Sequence, residues 1–132
     1  MKVAGLIARI LLGLAFLVFG MNGFLAFIPG SMPSGLAGQF LGALVQSHYV
    51  FVISGLQVVG GALLLVNRFV PLALTLLGPV IVNIFFFHLL MAPPGLPGAI
   101  FVVMLWGIVA FRHRQSFLGI LHHKDIPTGP CG

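Results

Sequence analysis

The sequence predicts an all-α integral membrane protein: an antiparallel four-helix bundle of transmembrane helices, with a short amphipathic helix after the first. Three observations carry this expectation. Of 132 residues, 60% are hydrophobic and only 5% charged, against roughly 25% charged in a soluble domain. Mean hydropathy is +1.22. The apolar residues fall in four runs separated by Pro/Gly-rich or polar breaks, and about 20 apolar residues suffice to cross a bilayer as a helix. The runs are continuous rather than alternating, which does not fit the strands of a membrane β-barrel. The expected organisation is one domain, residues 1–132, with spans near 4–27, 49–67, 71–91 and 96–113 and a cytoplasmic tail over 114–132.

The first run, residues 3–28, is interrupted only by Arg9 and Asn22. It exceeds the ~7–15 apolar residues of a signal peptide, so it is expected to remain as a span. Residues 29–34 (PGSMPS) are turn chemistry. Ser34 is placed to N-cap a short helix over 35–47, in which Leu36, Phe40 and Leu44 recur at helical spacing. That helix is expected on the membrane surface or folded into the mouth of the bundle. The second run, 49–66, contains Ser54 and Gln57 and closes at Asn67 and Arg68. Pro71 opens the third run in a first-turn position, where its missing N–H costs nothing. This run, 71–91, carries no charge, yet holds Thr75, Pro79, Asn83 and His88. After a second Pro/Gly turn (APPGLPG), residues 99–111 reach spanning length only by drawing on 95–113. Phe117, Leu118 and Leu121 are placed to hold the tail at the interface.

Charge sets the expected orientation. With four spans, Lys2, Arg9, Arg68, Arg112, Arg114 and Lys124 all fall at one end, and these are every lysine and arginine in the chain. Positive residues favour the cytoplasmic side, so the expectation is N-in and C-in in the bacterial cytoplasmic (inner) membrane. The basic residues are dispersed, so no nucleic-acid partner is expected despite the net charge of +5. The single Cys131 excludes an intramolecular disulfide and a CxxC redox motif.

Polar groups inside spans cost free energy unless paired, so each needs an account. Arg9 either snorkels to the headgroups or points inward, since Gly5, Gly13, Phe16, Gly20 and Gly23 share its face. Inward, it needs an acceptor: a carbonyl, a carboxylate or a ligand anion. That glycine face lets another helix approach closely. Asn22, Gln57 and Asn83 lie at related depths in the outer half. They either glue the helices together or line a pocket for the polar head of a lipophilic ligand such as a quinone. Thr75, Pro79 and Asn83 repeat every four residues. Because Pro79 frees the carbonyl of Thr75, this stripe is expected to face the bundle interior. His88 is five residues past Asn83, on another face near the outer interface. It is either a backbone-bonded residue or a proton exchanger at a quinone site. No metal site is expected: His48 and His88 are too few ligands, and His113, His122 and His123 suit headgroup contacts. No nucleophile–base–orienter set can be assembled, so no catalytic residue is expected.

The segments RILLGLAFLVFGMNGF (9–24), GLQVVGGALLLVNRFVPLAL (55–74) and GPVIVNIFFFHLLMAP (78–93) resemble, in this order, the DoxX and DoxX-like family of small bacterial membrane proteins. The resemblance implies a four-helix membrane bundle. The family is named for a subunit of a thiosulfate:quinone oxidoreductase, so it also implies a quinone as ligand and a redox partner protein. Many relatives carry an acidic residue at the Gln57 position; the glutamine here weighs against an Arg9–carboxylate pair. A bundle without cysteine weighs against thiol handling. The expectation is a non-catalytic, quinone- or lipophile-binding accessory subunit whose partners are the lipid bilayer, a redox protein and further copies of itself in a homo-oligomer. A structural scaffold is the alternative, and a neutral-solute transporter a weaker one. The expected ligand-binding set is Asn83, Gln57, Asn22, His88 and Arg9.

Overall fold

The computed structural model describes residues 2–26 and 32–121, without the side chains of Gly119 and Leu121. The expected turn as far as Ser31, and the tail residues His122, His123, Lys124, Asp125 and Cys131, lie outside the described residues. Every regular element among the described residues is helical, and none is a strand. The helices are α1 (Lys2–Leu25), α2 (Gly35–Gln46), α3 (Val50–Val66), α4 (Val70–Leu90), α5 (Leu96–Arg112) and the single turn α6 (Arg114–Phe117). A 3-10 turn at Pro93–Gly95 leads into α5, and another follows α6. Helices α1, α3, α4 and α5 coincide with the four apolar runs of the sequence to within a few residues.

Four helices close a ring in which α1 packs on α3 and α5, and α4 packs on the same two. Neighbours run antiparallel. The start of α1 meets the ends of α3 and α5 through Arg9 to Leu64 and Arg112 to Lys2. The end of α1 meets the start of α3 through the stacked rings of Phe24 and Phe51, 5.5 Å apart. Leu12, Leu64, Leu74, Leu77 and Val109 are fully enclosed at the centre.

The closest pair is α1 and α3, joined through the predicted glycine face. A Cβ on Gly61 would stand 2.6 Å from the Leu17 nitrogen and 2.8 Å from the Gly13 carbonyl oxygen; one on Gly20 would stand 2.9 Å from the Ser54 carbonyl oxygen. The two backbones therefore touch directly, as small residues at a helix interface permit. On the other side of α3, Gly60 forms the notch that receives Leu77 of α4, where a Cβ would come 2.7 Å from the Leu77 Cγ.

The connection from α3 to α4 is a tight reversal. Asn67 adopts the left-handed conformation (φ 57°), and its N–H and that of Arg68 bond back to the Leu64 and Leu63 carbonyls. This is a Schellman-type ending, for which asparagine substitutes for glycine. Phe69 is also left-handed (φ 51°), an uncommon state for a bulky residue. Pro71 then sits in the first turn of α4.

Three helical stretches are long and apolar enough to cross a membrane: α1, α4 and Pro93–Arg112. The fourth expected span is less simple. Helix α3 has 17 residues, about 25 Å at ~1.5 Å per residue, short of a ~30 Å hydrocarbon layer. Only together with α2 does it pass the same test, and the two are bent by 86° at their junction. That right angle suits a surface helix feeding a span. Ser34 stands at the N-cap of α2 but makes no side-chain cap bond. Phe40 holds α2 through its ring contact with Phe87 of α4, at 5.7 Å. Beyond α5, Phe117 packs back against the core.

The outside of the ring is apolar. Leu6, Ile10, Leu14, Val18, Val52, Val59, Leu72, Val82, Phe86, Phe101 and Met104 all point away from the core. Only 33% of the α1 and α4 segments and 17% of the α5 segment is buried within the chain. Soluble monomers rarely expose contiguous apolar patches beyond a few hundred Å², so this outer surface requires an apolar solvent or partner.

The glycine contacts make a direct prediction. Gly61→Leu should push α1 and α3 apart and cost about 1–3 kcal/mol, the usual range for overpacking. Gly55→Ala, where a Cβ meets nothing within 4 Å, should be neutral or stabilise by about 0.5–1 kcal/mol. Thermal unfolding in detergent followed by circular dichroism checks both. Equal Tm values for the two variants would contradict the close contact.

Candidate functional site

Helical periodicity groups residues on a face without saying which way the face points. For α4 it points outward. Leu77 inserts at Gly60, and Thr75 and Pro79 lie two residues to either side, about 200° round at ~100° per residue. Thr75, Pro79 and Asn83 are accordingly exposed on the outer surface. This corrects the expectation of an inward stripe. The polar atoms are satisfied within the helix: Thr75 Oγ1 donates to the Pro71 carbonyl at 2.8 Å, and Asn83 Nδ2 to the Pro79 carbonyl at 2.9 Å. Both bonds reach back four residues, a local pattern open to short polar side chains.

The three carboxamides are therefore not brought together. Asn22 on α1 and Gln57 on α3 are half-buried on the two helices in closest contact, whereas Asn83 lies on the outer face of α4. Gln57 makes no hydrogen bond to any described residue.

His88 sits apart from Asn83, on the different face its spacing gives. Its Nδ1 lies 3.3 Å from the Ala92 carbonyl oxygen, and its ring covers Gly95. The imidazole thus braces the turn between α4 and α5, donating from Nδ1 in the tautomer that makes this bond. Its ring also meets Phe87 edge-on at 5.1 Å.

Arg9 takes a carbonyl from the expected choice of acceptors. Its Nη1 bonds the Leu64 carbonyl and reaches the Leu65 carbonyl at 3.4 Å. These are last-turn carbonyls of α3, at the negative end of its dipole; the Leu64 oxygen accepts from Arg9 in addition to the capping N–H of Asn67, at 3.3 Å. The side chain is half-buried and points at α3, not away to a headgroup layer. No arrangement of the sequence alone distinguishes these acceptors; the close approach of α1 and α3 does.

Two concavities result. The first is a groove of about 310 Å³ between α4 and α5, lined by Gly78, Ile81, Val82, Phe85, Phe86, Val103 and Trp106. Its lining is apolar. The one polar atom near it, the Trp106 indole N–H, is committed to the Leu74 carbonyl at 3.0 Å. Sequence reasoning missed this groove. Its signal was Gly78, which leaves an opening between large aromatic neighbours: a Cβ there would meet only Trp106, at 3.9 Å.

The second concavity, about 240 Å³, lies at the end where the chain begins. Gly5, Leu6, Arg9, Asn67, Val109, Arg112 and His113 surround it. All described lysines and arginines stand at this end of the ring. Arg112 lies over Gly5 and donates to the Lys2 carbonyl at 2.9 Å. Arg114 stands 4.4 Å over the Phe111 ring.

No protein-family model, curated protein or solved structure matches this chain.

Arg9 and Asn83 should behave oppositely when made apolar. Arg9→Leu removes the charged donor shared by the Leu64 and Leu65 carbonyls, a loss of about 1–3 kcal/mol. Asn83→Leu removes an exposed group that serves only its own helix and should stay within about 0.5 kcal/mol of wild type. Unfolding in detergent ranks them; an Asn83→Leu loss as large as that of Arg9→Leu would mean that the carboxamide bonds across helices after all.

Proposed function

We propose that this chain is a multi-pass protein of the bacterial cytoplasmic membrane. Helices α1, α3, α4 and α5 cross the bilayer as an antiparallel bundle. The cationic end and both termini face the cytoplasm, and α2 lies on the outer surface. In this membrane the chain is a non-catalytic accessory subunit that holds a lipophile, a quinone or a similar ring-and-chain molecule, for a membrane redox complex. The resemblance to DoxX proteins supplies the redox part of this reading.

The observation that carries the lipophile is the groove between α4 and α5. It opens on the outer apolar surface, it is wide because of Gly78, and three aromatic rings line it. Such a lining grips a ring by stacking and a chain by dispersion. It offers no free donor to a quinone carbonyl, and Asn22, Gln57, Asn83, His88 and Arg9 are not among the residues that line it. The groove would hold the apolar body of the ligand, and a partner subunit would supply polar contacts to its head.

The scaffold reading has its own support. Arg9, Thr75, Asn83, His88 and Trp106 all bond backbone carbonyls, as residues kept only for architecture would.

Trp106 is the only tryptophan and lines the groove, so its fluorescence separates the two readings. A short-chain quinone titrated into the protein in nanodiscs should quench it saturably. Gly78→Leu, which fills the groove, should weaken that quenching at least tenfold. Quenching that rises linearly with quinone and ignores Gly78→Leu would reject the ligand site and favour the scaffold.

A further inference from the structure

We propose that the cup formed by Arg9, Asn67, Arg112 and His113 binds a phosphate monoester or diester, the chemistry presented by an anionic phospholipid headgroup. Charge and geometry carry the argument. Two guanidiniums and an imidazole share the walls of one 240 Å³ space. No carboxylate stands among the described residues, and the sole Asp or Glu of the chain is Asp125 in the tail. Positive charges brought together without a counter-ion repel one another, and an anion between them removes that repulsion.

The donors are arranged and unspent. Arg9 and Arg112 each use only Nη1, on the carbonyls of Leu64, Leu65 and Lys2. Their Nε and Nη2 groups make no hydrogen bond to any described residue. These bonds fix both planar forks before any ligand arrives, which lowers the ordering cost of binding. A fork of this kind fits two phosphate oxygens at once. Gly5 allows Arg112 to lie flat across α1, since any side chain there would strike its Cδ and guanidinium. His113 follows the end of α5, and burial first, then the charges of Arg112 and Arg9, hold its imidazole below the ordinary value. That ordering agrees with a partly enclosed space that both arginines face. An anion in the cup would offset the two arginine charges and favour the imidazolium.

This inference rests on the reading that the chain sits in a bilayer with the cup at headgroup depth, but not on the groove between α4 and α5. Basic pockets between helices at the cytoplasmic face suit anionic headgroups. Arg68, exposed at the same end but outside the cup, serves as the control cation.

The test is native mass spectrometry of the full chain in detergent with added phosphatidylglycerol or phosphatidylcholine, with inorganic phosphate as a third arm. Phosphatidylglycerol should bind at least tenfold more tightly than phosphatidylcholine. Arg112→Gln should weaken it fivefold or more, while Arg68→Gln should change it less than twofold. Protection by millimolar inorganic phosphate, lost in Arg112→Gln, supports the same cup with free phosphate as its source. Equal loss in Arg112→Gln and Arg68→Gln, or no preference for phosphatidylglycerol, overturns the proposal. So does phosphatidylglycerol binding that appears only in Asp125→Asn, because the tail carboxylate would then be the occupant. Trp106 quenching in the same samples reports the groove separately, so failure of one site does not imply failure of the other. Circular dichroism of Arg112→Gln, an exposed residue, confirms that the variant is folded.

Discussion

The close approach of α1 to α3 is the constraint on which the rest depends. Gly13 and Gly20 on one helix face Gly61 and the Ser54 carbonyl on the other, with no side chain between the backbones. Between helices in an apolar solvent there is little hydrophobic gain, so packing and hydrogen bonds must hold them. The same closeness lets Arg9 reach the last turn of α3, so one short interhelical distance settles a half-buried cation on two backbone carbonyls. Against this pair the other two helices dock by shape: Leu77 enters the notch at Gly60, and Trp106 ties α5 to α4 through the Leu74 carbonyl.

Backbone carbonyls are the common currency of the polar side chains. Thr75, Asn83, His88, Trp106 and Arg9 each find one, at short range or across a single helix contact. What remains for a ligand divides cleanly by chemistry. The groove by Gly78 and Trp106 is apolar and lies along the bundle side. The cup by Arg9 and Arg112 is cationic and lies at one end. An amphiphile in a bilayer carries both kinds of group, but these two places are separate, and each selects one.

Much of the architecture was legible because it depends on length and composition. The four apolar runs mark the four long helices, and the i, i+4 glycines of α1 mark its contact face. His88 is separated from Asn83 by simple helical geometry. The direction in which α4 faces was not legible. That helix is apolar nearly all round, so no periodicity distinguishes its core side from its outer side, and the fit of Leu77 into Gly60 decides. The cup was not legible either: Arg9 and Arg112 are 103 positions apart (112 − 9), and only the antiparallel packing of α5 on α1 brings them to one cavity. The brevity of α3 could be counted from the sequence, but the 86° turn from α2 could not, because the chain between them, Ser47 to Tyr49, carries neither glycine nor proline.

The central claim is that α3 is a true span, which puts the α2–α3 corner on the opposite side from the cationic end. Cys131 is the only cysteine, so a Cys131→Ser background gives a clean test by side-specific maleimide labelling of intact cells. Ser47→Cys, at the corner, should be labelled by an impermeant maleimide from outside, while Arg68→Cys, at the far end of α3, should react only after the membrane is opened. Labelling of both positions from the same side would contradict it, and would make α2 and α3 a re-entrant pair on one face of the membrane.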